Sequence, residues 1–386
     1  MPRDTLPRDI VILSGARTAI GTFGGALAGT APTETGALVA KAALERAGVA
    51  PREIGHVAYG HVINTEPKDM YLSRVAAMGA GIPEETPAMN VNRLCGSGAQ
   101  AVVSALQSIA LGDADFALGA GAEHMSRGPH IMPDARFGRK MGDVRALDMM
   151  IGALHDPFGH GHMGVTAENV AAEHQIGREE QDAFALESQK RAARAIAEGR
   201  FREQIVPIEV KVKRDTVAFD TDEHPRETTA EALAGLPPAF RKGGSVTAGN
   251  ASGINDGAAA LVLADAEAAE AKGLKARARI LGYAHAGVRP EVMGLGPIPA
   301  VERLLERTGL SVGDFDVIES NEAFAAQACA VNRRLGLDPA KVNPNGGAIA
   351  LGHPVGATGA IITVKCLYEL ERIGGRFGLV TMCIGG

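Results

Sequence analysis

A cysteine and a histidine, each set in a glycine-rich turn that opens a helix, are the residues of this chain best suited to chemistry. Cys95 lies in Asn92-Arg93-Leu94-Cys95-Gly96-Ser97-Gly98-Ala99-Gln100, between a short apolar strand and a helix expected from Ala99 to Leu111. The glycines let the backbone turn sharply and come close to a ligand, and the helix aims free N–H groups and its positive end at the sulfur. Such a setting favours thiolate, the nucleophilic form. Taken alone, Cys95 also reads as a small buried apolar residue. The second turn, Gly352-His353-Pro354-Val355-Gly356-Ala357-Thr358-Gly359, fixes an imidazole before another helix. By itself that histidine reads as a cap or core residue as readily as a base; with Cys95 in the matching position it becomes a base for the thiol. A third turn, Cys383-Ile384-Gly385-Gly386, ends a strand. One nucleophilic thiol and one separate acid/base thiol suit a reaction that acylates the enzyme and also moves a carbon-bound proton.

The elements that must carry these turns alternate between strand and helix. A strand is expected from Ile10 to Leu13, a helix from Glu34 to Ala47, a strand from His56 to Tyr59 and a helix from Ser73 to Met78. Cys95, its helix and a strand from Phe116 to Gly121 follow, which argues for α/β layers around a largely parallel sheet. The C-terminal third repeats the scheme. Ser311 to Ile318 with Asn321-Glu322-Ala323-Phe324 matches Ala50 to Ala58. Asn343-Pro344-Asn345, the His353 turn, a helix expected from Gly359 to Glu371 and a strand from Phe377 to Met382 match Asn90-Val91-Asn92, the Cys95 turn, its helix and its strand. Two similar halves are implied, each presenting a reactive turn. Between them the texture changes to loops rich in Met, His, Arg and Pro with one long helical stretch, Arg178 to Glu198, which reads as an insertion covering a site. The expected division is residues 1–122 for the N-terminal half, completed by 248–270 with a strand from Ala258 to Leu263; 123–247 for the loop domain; and 271–386 for the C-terminal half, without its last strand.

Bulk properties narrow the class. A chain of 386 residues, 46% hydrophobic and 22% charged, is globular and large enough for a buried site. The net charge of −6 and the lack of a Lys/Arg block speak against nucleic acid, the mildly basic run from Arg191 to Arg202 having the spacing of a solvated helix face. No apolar run reaches membrane-spanning length, and Arg3, Asp4, Arg8 and Asp9 stand where a signal peptide would be apolar. The four cysteines, Cys95, Cys329, Cys366 and Cys383, have neither metal spacing nor a disulfide framework, so a reducing cytoplasm is expected. His155, His160 and His162 lack helical i, i+4 spacing, and no metal is expected there.

The Cys95 turn, Asn321-Glu322-Ala323-Phe324, Gly352-His353-Pro354 and Cys383-Ile384-Gly385, in that order, resemble the thiolases, in particular the bacterial biosynthetic acetyl-CoA C-acetyltransferases and β-ketothiolases, from about Ile10 to Gly386. The resemblance implies a five-layered αβαβα fold built from two similar halves, an inserted loop domain and a homotetramer, a dimer of dimers. It makes Cys95 the nucleophile that takes an acyl group from a first acyl-CoA, His353 its activator, and Cys383 the base for the α-proton of a second acetyl-CoA. It implies that His353 Nε2 and a water on Asn321 hold the enolate oxygen, and that the N–H groups of Cys95 and Gly385 hold the oxyanion of the acyl transfer. Donors of this kind are each worth roughly 3–4 kcal/mol. For coenzyme A it implies Ser252 and Met163 along the pantetheine channel, with Ala323 and Phe324 beside it and Arg226 near the adenine and phosphate end. No cofactor beyond the coenzyme A thioesters is implied. The protruding segment from Arg127 to Asp143 is the expected contact between subunits. Leu154-His155-Asp156-Pro157-Phe158 looks most like β-ketothiolases of polyhydroxyalkanoate synthesis, with four- and five-carbon products.

Two other functions compete. Gly96-x-Gly98-x-x-Ala101 formally matches a dinucleotide fingerprint, but Asp113 and Asp115 precede the next strand where an NAD site needs an acid at its end. A non-catalytic acyl-CoA-binding module would have no use for two cysteines in reactive turns. Ketoacyl synthases of the same fold use one Cys with two His, or with His and Asn, so Cys383 favours thiolase.

Overall fold

The computed structural model describes residues 5–212 and 215–385; Arg3 and Asp4 of the polar N-terminus and Gly386 of the third turn lie outside them. The N-terminal half is built on strands β1 (Ile10–Arg17), β2 (His56–Gly60), β3 (Ala88–Val91), β4 (Phe116–His124), β5 (Asn255–Asp265) and β6 (Ala278–Arg279), in the spatial order β6-β1-β5-β4-β2-β3. The pairs β4–β2 and β2–β3 are parallel, as expected, but β5 runs antiparallel to both β1 and β4, so the sheet is mixed rather than largely parallel. The chain leaves the sheet at the end of β4 and, after the loop domain, re-enters beside that same end, Asp256 pairing with His124, so β5 runs back between two strands already in place.

All nine positions of β4 and all eleven of β5 are buried, which requires cover on both faces. One face, with Leu13, Val57, Leu118 and Val262, packs on helix α1 (Pro32–Ala47) through Val39, Ala43 and Leu44. Pro32 starts that helix and Gly48, left-handed at φ 67°, ends it. The other face, with Ile10, Ala117, Leu261 and Leu263, packs on α2 (Ser97–Ala110) through Val102, Leu106 and Ile109 and on α3 (Thr358–Ile373) through Ile361, Val364 and Leu367. These two helices carry the Cys95 and His353 turns at their starts. They form the middle layer, because α3 also packs on the second sheet, β7 (Val317–Ser320) paired parallel with β8 (Gly378–Thr381). Beyond it, Ile318 and Leu379 meet Val301 of α4 (Pro297–Thr308), completing five layers.

The two halves differ at one flank. In the first sheet β5 covers the side of β4 opposite β2. Among the described residues the matching side of β8 faces an open groove of about 540 Å³ walled by Gln100, Val103, Tyr283, His285 and Leu304.

Candidate active site

The two reactive turns meet because two helix starts cross at glycines. A Cβ on Gly98 would lie 2.7 Å from the Ala360 nitrogen and 3.0 Å from the Ala357 oxygen, and one on Gly359 would overlap the Ala99 nitrogen. Gly98 therefore admits a neighbouring helix, not a ligand as the sequence suggests. Gly96 likewise admits the third turn, since a Cβ there would lie 2.5 Å from Ile384 Cδ1.

Cys95 is half-buried and follows Leu94, whose φ of 43° is unusual for a side chain of that size. The kink is held by Ser97, whose hydroxyl donates to Leu94 O at 2.6 Å and accepts Arg93 N–H at 2.8 Å, and by Asn92 Oδ1, which accepts Leu94 N–H at 3.0 Å. The backbone N–H groups of Cys95 and Gly385 point at the sulfur and favour thiolate, as the helix-start argument requires. Burial outweighs them and pushes the thiol up to about 11, with the Glu123 charge adding to the rise. The expectation of a resting thiolate is thus overturned: Cys95 rests as a thiol and needs a base. Cys383 is buried and its thiol is pushed up by burial first and then by the Cys95 charge, so the two sulfurs sense each other.

His353 is equipped to be that base. Its Nδ1 lies 2.7 Å from Thr358 Oγ1, whose own proton is donated to Pro354 O at 2.9 Å. The hydroxyl can therefore only accept from the ring, which places the imidazole hydrogen on Nδ1 and leaves the Nε2 lone pair free. Burial pushes the imidazole down to about 4, so it is neutral at ordinary pH and its Nε2 can accept a proton. Asn321 Nδ2 stands 3.5 Å from Nε2, and Asn321 Oδ1 is buried without a partner. Such an atom suits a bound water.

Met163, Ala323, Phe324 and Cys383 share one apolar cluster with Met293 and Phe240, and a Cβ on Gly385 would come 2.9 Å from Met163 Cε. Ser252 joins this wall through its backbone, donating N–H to Ala323 O at 3.0 Å, while the adjacent Ala251 bridges Phe324. Arg226 is not brought there. It is exposed, and its link to the site runs through His224, whose Nδ1 lies 3.3 Å from Asn255 Nδ2. His160 faces Glu291, His162 caps the helix Met163–Glu173 and stacks on Phe240 at 4.7 Å, and His155 packs edge-on to His162.

Four participants escaped the sequence reading. Asn255 accepts His353 N–H at 2.9 Å, Thr358 sets the tautomer, and Phe240 and Met293 line the apolar wall. Asn255 had a visible signal, a polar residue opening the apolar strand that follows; Thr358 lay within the His353 turn but showed no role there, and Phe240 and Met293 sit in stretches without a pattern.

Comparison with known proteins agrees with this geometry. The family models "Thiolase, N-terminal domain" and "Thiolase, C-terminal domain" match residues 10–267 and 274–386. The chain is 60% identical to beta-ketothiolase BktB of Cupriavidus necator over 383 residues, 99% of this chain and 97% of that one. It is 49% identical to an acetyl-CoA acetyltransferase of Syntrophomonas wolfei, over 99% of this chain and 97% of the relative. Among solved structures, the Bacillus anthracis acetyl-CoA acetyltransferase superposes with a TM-score of 0.96 at 47% identity, covering 99% of this chain and 97% of that chain. Human mitochondrial 3-ketoacyl-CoA thiolase does so with 0.96 at 44%, again covering 99% and 97%. With both halves matched in order and both reactive turns brought together at the crossing of α2 and α3, the chain belongs to the thiolase family.

Proposed function

We propose that this enzyme catalyses the reversible Claisen condensation of acetyl-CoA with a second short acyl-CoA, giving a 3-ketoacyl-CoA and free CoA through an acyl group on Cys95. The observation that carries the reading is the convergence of the Cys95 and Gly385 N–H groups on the Cys95 sulfur, in a site whose second reactive turn holds His353 with its hydrogen on Nδ1 and Nε2 unprotonated. His353 Nε2 takes the thiol proton as sulfur attacks the thioester carbonyl, and the two N–H groups receive the oxyanion. The carbon–sulfur bond to CoA breaks, and the leaving thiolate takes the Cys383 proton. Acylated Cys95 cannot ionise and so sets no charge against Cys383, whose thiolate accepts an α-proton from acetyl-CoA. Imidazolium Nε2–H and a water on Asn321 hold the enolate oxygen. The enolate carbon bonds to the acyl carbonyl carbon, the Cys95–acyl bond breaks, and the departing sulfur regains its proton from His353. Cys95, His353 and Cys383 all regain their starting protonation states, the α-proton replacing on Cys383 the one that left with CoA, and no further cofactor enters the balance.

The apolar wall of Met163, Ala323, Phe324 and the Ser252 segment is the channel for pantetheine, and Arg226, exposed outside that wall, is left for the phosphate end. Four- and five-carbon products and a role in polyhydroxyalkanoate synthesis belong to this reading through the resemblance of Leu154-His155-Asp156-Pro157-Phe158, and similarity to a protein named beta-ketothiolase is compatible with them. Phe137 and Met141, 94% and 87% exposed on the segment from Arg127 to Asp143, suit contacts between subunits of a tetramer. No helix among the described residues is long and apolar enough to cross a membrane, and all four cysteines are free, in keeping with the cytoplasm. Labelled acetyl-CoA should leave acetate on the Cys95 peptide and release one CoA per site; label found only on another residue defeats the assignment.

A further inference from the structure

Behind Cys95 lies a fully buried carboxylate that the reaction as written does not use. Glu123, near the end of β4, is 0% exposed. Its Oε2 accepts the N–H groups of Val62 at 2.9 Å and Gly356 at 3.0 Å, and its Oε1 accepts that of Ile63 at 3.1 Å. These amides come from two segments, the stretch after β2 and the turn that carries His353. Val62, Ile63 and Val355 of those segments pack with Cys95 in one cluster. The approach is close enough that a Cβ on Gly356 would overlap Glu123 Oε2.

We propose that Glu123 is a positioning residue for acyl transfer: by gripping the amides of Val62, Ile63 and Gly356 it fixes the two walls of the Cys95 pocket against each other. It also sets a negative charge behind the thiol, so that sulfur gives up its proton only to His353 with a thioester in place. The proposal rests on Cys95 being the nucleophile. Around Glu123, His61 Nδ1 lies 3.5 Å from Oε1 while donating to Ala122 O at 2.8 Å, and His61 Nε2 faces Asp69 at 3.9 Å. The neighbouring His124 turns instead to Thr35, 2.9 Å away, and Cys95 senses the Glu123 charge directly. Burial raises the Glu123 carboxyl, while His61 and the three amides pull it back. Three N–H donors on its two oxygens favour the ionised form against burial.

The test compares Glu123→Gln and Glu123→Asp with the parent enzyme in thiolysis of a four-carbon 3-ketoacyl-CoA and in the pH dependence of Cys95 alkylation by iodoacetamide. Glu123→Gln should lower kcat by about tenfold or more with KM nearly unchanged. It should also move the alkylation midpoint down by roughly one pH unit, because the charge behind sulfur is gone. A merely loosened pocket would speed alkylation at every pH without moving the midpoint. Glu123→Asp keeps the charge but withdraws it from the amides, so kcat should fall while the midpoint stays. Parental kcat in either variant, or a Glu123→Gln midpoint that is unmoved or raised, overturns the proposal. If Glu123→Gln does not fold, Glu123→Asp decides: lost kcat with intact KM supports the grip, and parental kcat refutes it. A parent enzyme that takes no acetate on Cys95 would instead sink the underlying assignment, whatever the variants do.

Discussion

Replacing Gly98 by Ala should disable the site without touching a reacting atom. The new Cβ would sit 2.7 Å from Ala360 N, 3.0 Å from Ala357 O and 3.1 Å from Gly356 O, against ordinary contact from 3.4 Å. All three neighbours are backbone, so none can rotate away, and relief needs α2 and α3 to part by 3.4 − 2.7 = 0.7 Å. Overpacking of this kind costs about 1–3 kcal/mol, and the better helix propensity of Ala returns at most about 1 kcal/mol. The net loss of stability is thus about 0–3 kcal/mol, small enough for the variant to fold. Catalysis pays more heavily, because the two helices carry Cys95 and His353 separately. A 1 Å misplacement can cost on the order of 10²-fold, so a loss of roughly tenfold to a hundredfold in kcat is expected. The assays are steady-state thiolysis and urea unfolding, with Gly152→Ala as control, since a Cβ there meets nothing within 4 Å. Gly98→Ala with kcat within about twofold of the parent would refute the argument that this crossing aligns the two turns.

Cys383→Ala should still accept acetate from acetyl-CoA on Cys95 but should lose deuterium exchange into the acetyl methyl group of a bound acyl-CoA, with overall turnover down on the order of 10²-fold; exchange at the parental rate would mean that another group is the base. Stability should depend on pH through histidines that fold neutral. His353, His124 and His224 are each pushed by burial from 6.5 to about 4, so the unfolded chain takes up their protons first. Their contribution is complete above about pH 6.5 and is lost as pH falls toward 4, which should appear as a falling urea midpoint over that window; a flat midpoint would contradict it. At the alkaline end the sign reverses, because Cys95 is raised from 9.0 to about 11. Stability should decline as pH rises from 9 through 11, and Cys95→Ala should remove part of that decline.

Much of the site was legible from local sequence. The Cys95, His353 and Cys383 turns announce themselves because a sharp turn before a helix demands glycine and proline at fixed offsets, and the repeat of that pattern reveals the two halves. Asn321 was found through its neighbours in Asn321-Glu322-Ala323-Phe324, and Met163 and Phe324 do meet beside Cys383. Asn255 and Glu123 were missed. Each is a polar residue at the end of a buried strand, and its purpose depends on a backbone N–H contributed by a segment far along the chain.

Other properties were decided only by the tertiary structure. Strand direction was one: residues Asn255–Asp265 look the same in either sense, and the returning path of the loop domain made them antiparallel. Protonation was another. The helix start at Cys95 argues for thiolate, yet the energy of burying a charge is set by everything packed around it, and burial won. The glycines after Cys95 fixed a close approach, but only the crossing of α2 and α3 identified what approaches. Sequence determined which turns could form and which reactive groups they carry, because those depend on neighbours a few residues away; structure determined the distances, partners and charge states, because those depend on everything that other segments of the chain pack around each group.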